Sequence, residues 1–133
     1  MTIGVLLVTH ESLAQALLSI GKKAVGDCPL AIRTLDVPLD SDPELRANRA
    51  SQLIRELDTG DGVLILTDLC GSTPSNIACR LSLQSDVMVV SGLNLPMLLR
   101  VLNYPDLPLA EMAERAVDGG RQGVMLLPRC NEA

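Results

Sequence analysis

The sequence predicts an α/β protein: a single-domain three-layer sandwich on a mainly parallel sheet, with a short C-terminal edge strand. Three observations carry this prediction. Apolar runs at residues 3–8 and 62–67 show no polar alternation, the pattern of strands buried on both faces of a parallel sheet. Between such runs lie segments whose apolar residues recur at the helical period, so strand and helix alternate along the chain. No linker or repeat interrupts the 133 residues, a length that suits one domain with its own core.

Taken in order, the first strand ends in Thr9 and His10, the sole histidine. Ser12 opens a helix with Leu13, Leu17, Ile20 and Ala24 expected inward and a stop at Gly26. Residues 30–37 mix apolar side chains with Arg33 and Asp36, as a strand near the sheet edge does, and Pro38 ends them. Ser41-Asp42-Pro43-Glu44 is a capping-box pattern with proline in the first turn, and Ala47, Ala50, Ile54 and Leu57 follow on one face up to Thr59-Gly60. Residues 62–67 are the best match in the chain to a central strand. They lead into Asp68-Leu69-Cys70-Gly71-Ser72-Thr73-Pro74, where Thr73 reads as the N-cap and Pro74 as the first turn of a helix through Ala78 and Leu81.

Residues 87–91 give a short strand, and 92–97 turn into a helix capped by Asn94 with Leu98 and Val101 inward. Beyond Pro105 and Pro108, the stripe Leu109, Met112, Ala113, Ala116 and Val117 predicts a last helix, with Gly119-Gly120 read as its stop. Residues 123–127, Gly-Val-Met-Leu-Leu, are strand-like and too apolar to lie free in water. The domain is thus expected over 1–127, with 128–133 a polar tail.

Composition removes several function classes. The net charge of -5 argues against nucleic acid and anionic membrane, and with no Phe or Trp and one Tyr there is almost nothing to stack on a base. No apolar run approaches a membrane span, and Met1 leads at once into the first strand, so neither insertion nor a leader is expected. Cys28, Cys70, Cys79 and Cys130 form no CxxC and have no histidine at ligand spacing; they read as reduced thiols of a cytoplasmic protein, with no metal or cofactor.

The chemistry gathers at strand C-termini. Right-handed crossovers place His10, the loop 68–74 and the loop 92–97 at one sheet edge, where α/β folds bind ligands. If the first and third strands are neighbours, Asp68 can hold one ring nitrogen of His10 and leave the other with its lone pair free. The glycine-bearing turn into the helix after Gly71 offers N–H donors and a positive dipole end to an anion. Each feature alone fits an ordinary loop or helix start. Together they describe a histidine that accepts a phosphoryl group.

Thr9-His10, then Asp68-Leu69-Cys70-Gly71-Ser72-Thr73-Pro74-Ser75-Asn76, then Gly92 with Asn94, Pro96 and Met97, resemble the IIA component of the mannose family of the bacterial phosphoenolpyruvate-dependent sugar phosphotransferase system. The likeness runs over nearly the whole chain. It implies that His10 is phosphorylated on Nε2 by the phosphocarrier HPr and that Asp68 holds Nδ1. It also implies that Gly71, Ser72 and Thr73 bind the phosphoryl oxygens, that a IIB component or a regulatory target is the acceptor, and that the protein is a homodimer. Ser72 stands where many members have a second glycine, and Leu69-Cys70 where a threonine and an aromatic are common.

Two alternatives share the histidine: a regulatory interaction protein that takes no part in sugar transport, and the phosphocarrier of a dihydroxyacetone kinase. A receiver domain phosphorylated on Asp68 would need an acidic pair where Thr9-His10 stands. A cysteine phosphatase would need an arginine where Asn76 follows Cys70.

Overall fold

The computed structural model describes residues 2–84 and 86–130. Its strands are β1 (Gly4–His10), β2 (Ala31–Val37), β3 (Val63–Thr67) and β4 (Val87–Val90). Its helices are α1 (Leu13–Val25), α2 (Pro43–Leu57), α3 (Thr73–Leu81), α4 (Leu95–Asn103) and α5 (Leu109–Gln122). The strands pair in the order β2-β1-β3-β4, and every pairing is parallel.

Strand alternation sorts the core into two layers. Leu6, Val8, Val63 and Ile65 face α2 and α3, while Val5, Leu7, Leu64 and Leu66 face α1, α4 and α5. All eight are fully buried, so the central strands β1 and β3 carry apolar side chains on both faces, as their unbroken runs predict. β2 is the polar edge strand, with Ala31 and Arg33 exposed.

Several local expectations change. In α1 the packed line runs through Ala14 and Gly21, with Leu17, Leu18 and Val25 half-buried beside it, whereas Leu13 and Ile20 are 42% and 50% exposed and Ala24 faces solvent. The cause is close approach: a Cβ on Gly21 would stand 3.1 Å from Leu102 and 3.2 Å from Leu98 of α4, so small residues rather than bulky ones mark the buried stripe. The N-cap of α3 is Ser72, which makes no side-chain capping bond, and Thr73 is already helical. In α2 the cap is Asp42, one residue after the Ser41 that the capping-box pattern implies, its Oδ1 accepting the Glu44 N–H; the cap expected at Asn94 is present, its Oδ1 accepting the Met97 N–H.

α5 does not stop at Gly119-Gly120 but runs through both to Gln122. A Cβ on Gly119 would lie 2.6 Å from Arg100 Cβ, and one on Gly120 2.9 Å from Met97 Cε. The glycines are there to seat α5 against α4. The edge strand expected at 123–127 forms no ladder: residues 124–130 have no regular structure, and Val124, Met125, Leu126 and Leu127 are 76%, 66%, 98% and 71% exposed. An apolar sequence becomes a strand only where its backbone groups pair with an edge, and this segment pairs with neither edge strand of its own sheet. Of the expected polar tail, 131–133 lie outside the described residues.

Candidate phosphoryl-transfer site

The register explains why Asp68 meets His10. The β1–β3 ladder ends at Val8 and Thr67, so Asp68 is the first residue beyond it, level with the end of β1. On its other side His10 still pairs with Val37 of β2, which holds the backbone in place while the ring emerges past the sheet edge. Thr9, fully buried, fixes the exit of the next helix: its Oγ1 accepts the Ala14 N–H at 2.9 Å, a bond that Ser12, the N-cap by position, does not make.

Asp68 Oδ2 lies 2.8 Å from His10 Nδ1 and also accepts the His10 backbone N–H at 3.1 Å. Its Oδ1 accepts the Leu69 N–H at 3.0 Å. Burial pushes the carboxyl pKa up, but the hydrogen bonds from the His10 ring and backbone and the Coulombic pull of the ring outweigh it and hold the group below its ordinary value. An ionised carboxylate accepts from Nδ1–H, and in a neutral ring so bonded Nε2 carries the lone pair. The side chain of His10 is 34% exposed and that of Asp68 11%: the ring can be reached from outside, and the carboxylate bonded to it is shielded.

A cleft of about 90 Å³ opens beside the ring, lined by His10, the β2–α2 loop and, from α3, Thr73 and Pro74. Of the three residues expected to bind phosphoryl oxygens, Thr73 borders this cleft. Gly71, at φ 87, donates its N–H to Ser75 Oγ at 2.8 Å. Ser72 directs both its N–H and its hydroxyl to Leu69 O, at 3.3 and 2.6 Å. Ser75, 3% exposed, was not singled out by sequence reasoning, yet it braces the turn by also donating to Ser72 O at 3.0 Å. The third loop reaches the site indirectly, since Leu93 N–H bonds Thr67 O at 3.0 Å just before Asp68 while Gly92, Asn94 and Met97 border a separate cleft beside α5.

Sequence reasoning also missed the loop 38–41, whose Pro38, Leu39 and Ser41 form one wall of the cleft. Pro38 carried a signal only as a strand stop, and Ser41 only as part of a capping-box pattern. Among the described residues no three His, Cys, Asp or Glu side chains gather as metal ligands, and no helix is long and apolar enough to cross a membrane.

Known proteins share this arrangement of elements. The sequence model of the EIIA-man family, described as PTS system fructose IIA component, matches residues 4–116. The chain is 31% identical over 130 residues to the PTS system mannose-specific EIIAB component of Escherichia coli, covering 96% of this chain but 40% of that protein, so it spans about two fifths of the relative's length. The fold superimposes on the mannose/sorbose specific IIA subunit from Enterococcus faecalis with a TM-score of 0.85, over 100% of both chains at 23% identity. It also matches the PTS IIA protein associated with the fucose utilization operon from Streptococcus pneumoniae, with a TM-score of 0.81 at 25% identity, over 95% of this chain and 93% of that one. Because the family match covers all four strands and the loops that bring His10 and Asp68 together, the chain belongs to the EIIA-man family of sugar phosphotransferase system components.

Proposed function

We propose that this chain is a cytoplasmic phosphoryl carrier in which His10 takes a phosphoryl group from phospho-HPr and hands it to a IIB component for sugar uptake. The observation that carries the reading is the 2.8 Å contact between His10 Nδ1 and Asp68 Oδ2. With Nδ1–H donated to the carboxylate, the Nε2 lone pair attacks phosphorus; the Nε2–P bond forms as the bond to the donor's nitrogen breaks and its electron pair returns to the donor ring. His10 gains positive character as that bond forms, and the adjacent carboxylate stabilises it. Thr73, at the cleft wall, would meet a phosphoryl oxygen, while Gly71 and Ser72 would exchange their internal bonds to do so.

Cleft size bears on the substrate. At about 90 Å³ it is suited to a transferred group rather than to a bound sugar, since small-molecule pockets run from roughly 300 Å³ upward. The acting unit is proposed to be a homodimer, formed when the apolar segment after Gly123 pairs with the free edge of β4 in a second copy.

Incubation with phosphoenolpyruvate, enzyme I and HPr is expected to add one phosphoryl mass to the wild-type chain and none to His10→Ala. The label should be lost in acid, because protonation of the ring makes it a good leaving group. Acid-stable label, or label that persists in His10→Ala, would refute the assignment.

A further inference from the structure

Directly after His10 the backbone turns left-handed at Glu11, with φ 46. That conformation is uncommon for a residue with a Cβ and free of strain for glycine, so a glutamate there calls for a reason in its side chain. Glu11 Oε1 accepts the Leu39 N–H at 3.3 Å, and the Glu11 N–H bonds Val37 O at 3.2 Å. The two bonds flank Pro38, which has no N–H of its own. Beyond it the loop closes on itself, Pro38 O accepting from Ser41 N at 3.1 Å and from Ser41 Oγ at 2.6 Å. Residues 38–41 are therefore a small rigid turn tied to the His10 turn through the Glu11 carboxylate, and Pro38, Leu39 and Ser41 are the wall they present to the cleft.

The geometry points to Glu11 as a positioning residue that latches the loop 38–41 beside the His10 ring and so sets how readily water reaches phosphorylated His10. This rests on His10 being the phosphoryl acceptor. Hydrolysis of the phosphohistidine is attack of a water oxygen on phosphorus: a P–O bond forms, the P–Nε2 bond breaks with its electron pair going to the ring, and inorganic phosphate leaves. A loop held against the ring narrows the approach to phosphorus. A released loop opens it.

Two variants separate the latch from the charge. Glu11→Gln keeps an oxygen that can accept from Leu39, and Glu11→Gly removes the side chain while suiting the left-handed backbone, so it is expected to fold at least as well as wild type. Each protein is phosphorylated through HPr, separated from it, and followed by loss of phosphoryl mass at neutral pH; in parallel the free ring is titrated with diethyl pyrocarbonate, which reads His10 alone because the chain has one histidine. Glu11→Gly is expected to lose its phosphoryl group about threefold to tenfold faster than wild type, as release of one hydrogen bond implies. Its ring should also be modified faster, with an unchanged or raised melting temperature, and Glu11→Gln should stay close to wild type by both readouts. Equal lifetimes and equal modification rates in wild type and Glu11→Gly overturn the latch, as does a Glu11→Gln protein that behaves like Glu11→Gly. A wild-type chain that takes no label at all overturns the reading of His10 and the latch with it.

Discussion

One carboxylate oxygen of Asp68 accepts both the ring Nδ1–H and the backbone N–H of His10, so this side chain links the proposed phosphoryl acceptance to folding stability. Loss of a charge-assisted hydrogen bond costs about 1.5 to 3 kcal/mol, so Asp68→Asn is expected to fold and to accept the group about tenfold to a few hundredfold more slowly. Stopped transfer reactions followed by mass give the rates, and unchanged kinetics would reduce Asp68 to a turn residue. The same bonds lower its folded pKa. A carboxyl depressed on folding contributes stability that is fully present above its unfolded value of about 3.9 and is lost as pH falls through the lower folded value. The difference in urea midpoint between wild type and Asp68→Asn is therefore expected to shrink from pH 5 toward about pH 3; a constant gap would show that the bonds to His10 contribute nothing to folding. His10 and Asp68 could be read from the sequence because strand-end position and residue chemistry coincide there. Glu11 could not, since its partner Leu39 is 28 residues away in sequence and only the β1–β2 pairing brings them together.

Elements were readable where a period or a cap is local, and failed where packing decides. The central strands β1 and β3 follow from unbroken apolar runs, and the starts of α2 and α4 from the capping residues at 41–44 and Asn94, because these signals act within a few residues. Gly119-Gly120 misleads because a glycine pair at a helix end and a glycine pair at a helix crossing look alike in sequence. The packing role of Gly119 is measurable. Inside α5 and free of neighbours, Gly119→Ala would be stabilising, alanine being better than glycine in a helix by about 1 kcal/mol. As a contact point it places a Cβ 2.6 Å from Arg100 Cβ. Overpacking of that kind costs about 1 to 3 kcal/mol. We expect a lower urea midpoint for Gly119→Ala, and a raised one would contradict the packing of α5 on α4. Asn94→Ala should also destabilise, because its side chain caps α4 through Met97 N–H and donates to Gly120 O of α5 at 3.1 Å, holding the same pair of helices.

The whole molecule leaves one face unfinished. β4 is an edge strand with Met88 40% exposed. Beside it lie clefts of about 460 and 410 Å³ that both include Val89, Val90 and Val117. Val124 borders the larger one, and the apolar residues up to Leu127 lead away from it into solvent. A free parallel edge and a free apolar segment in one chain are both liabilities in water, and exchange of the segment between two copies removes both at once, with every contact repeated by symmetry. Each copy would gain a strand that its own chain supplies to the other. Such an exchange would explain why the apolar run at 123–127 reads as a strand in sequence and yet finds no ladder in a single chain. Light scattering on the full chain is therefore expected to give twice the mass of one chain, and a chain ending at Gly123, which keeps all of α5, is expected to be monomeric and less stable. Because the segment starts beyond the last helix, the shortened chain should still be phosphorylated on His10, so loss of the dimer can be told apart from loss of the fold. A full-length monomer, or a shortened chain that remains dimeric and equally stable, would remove the segment from the assembly.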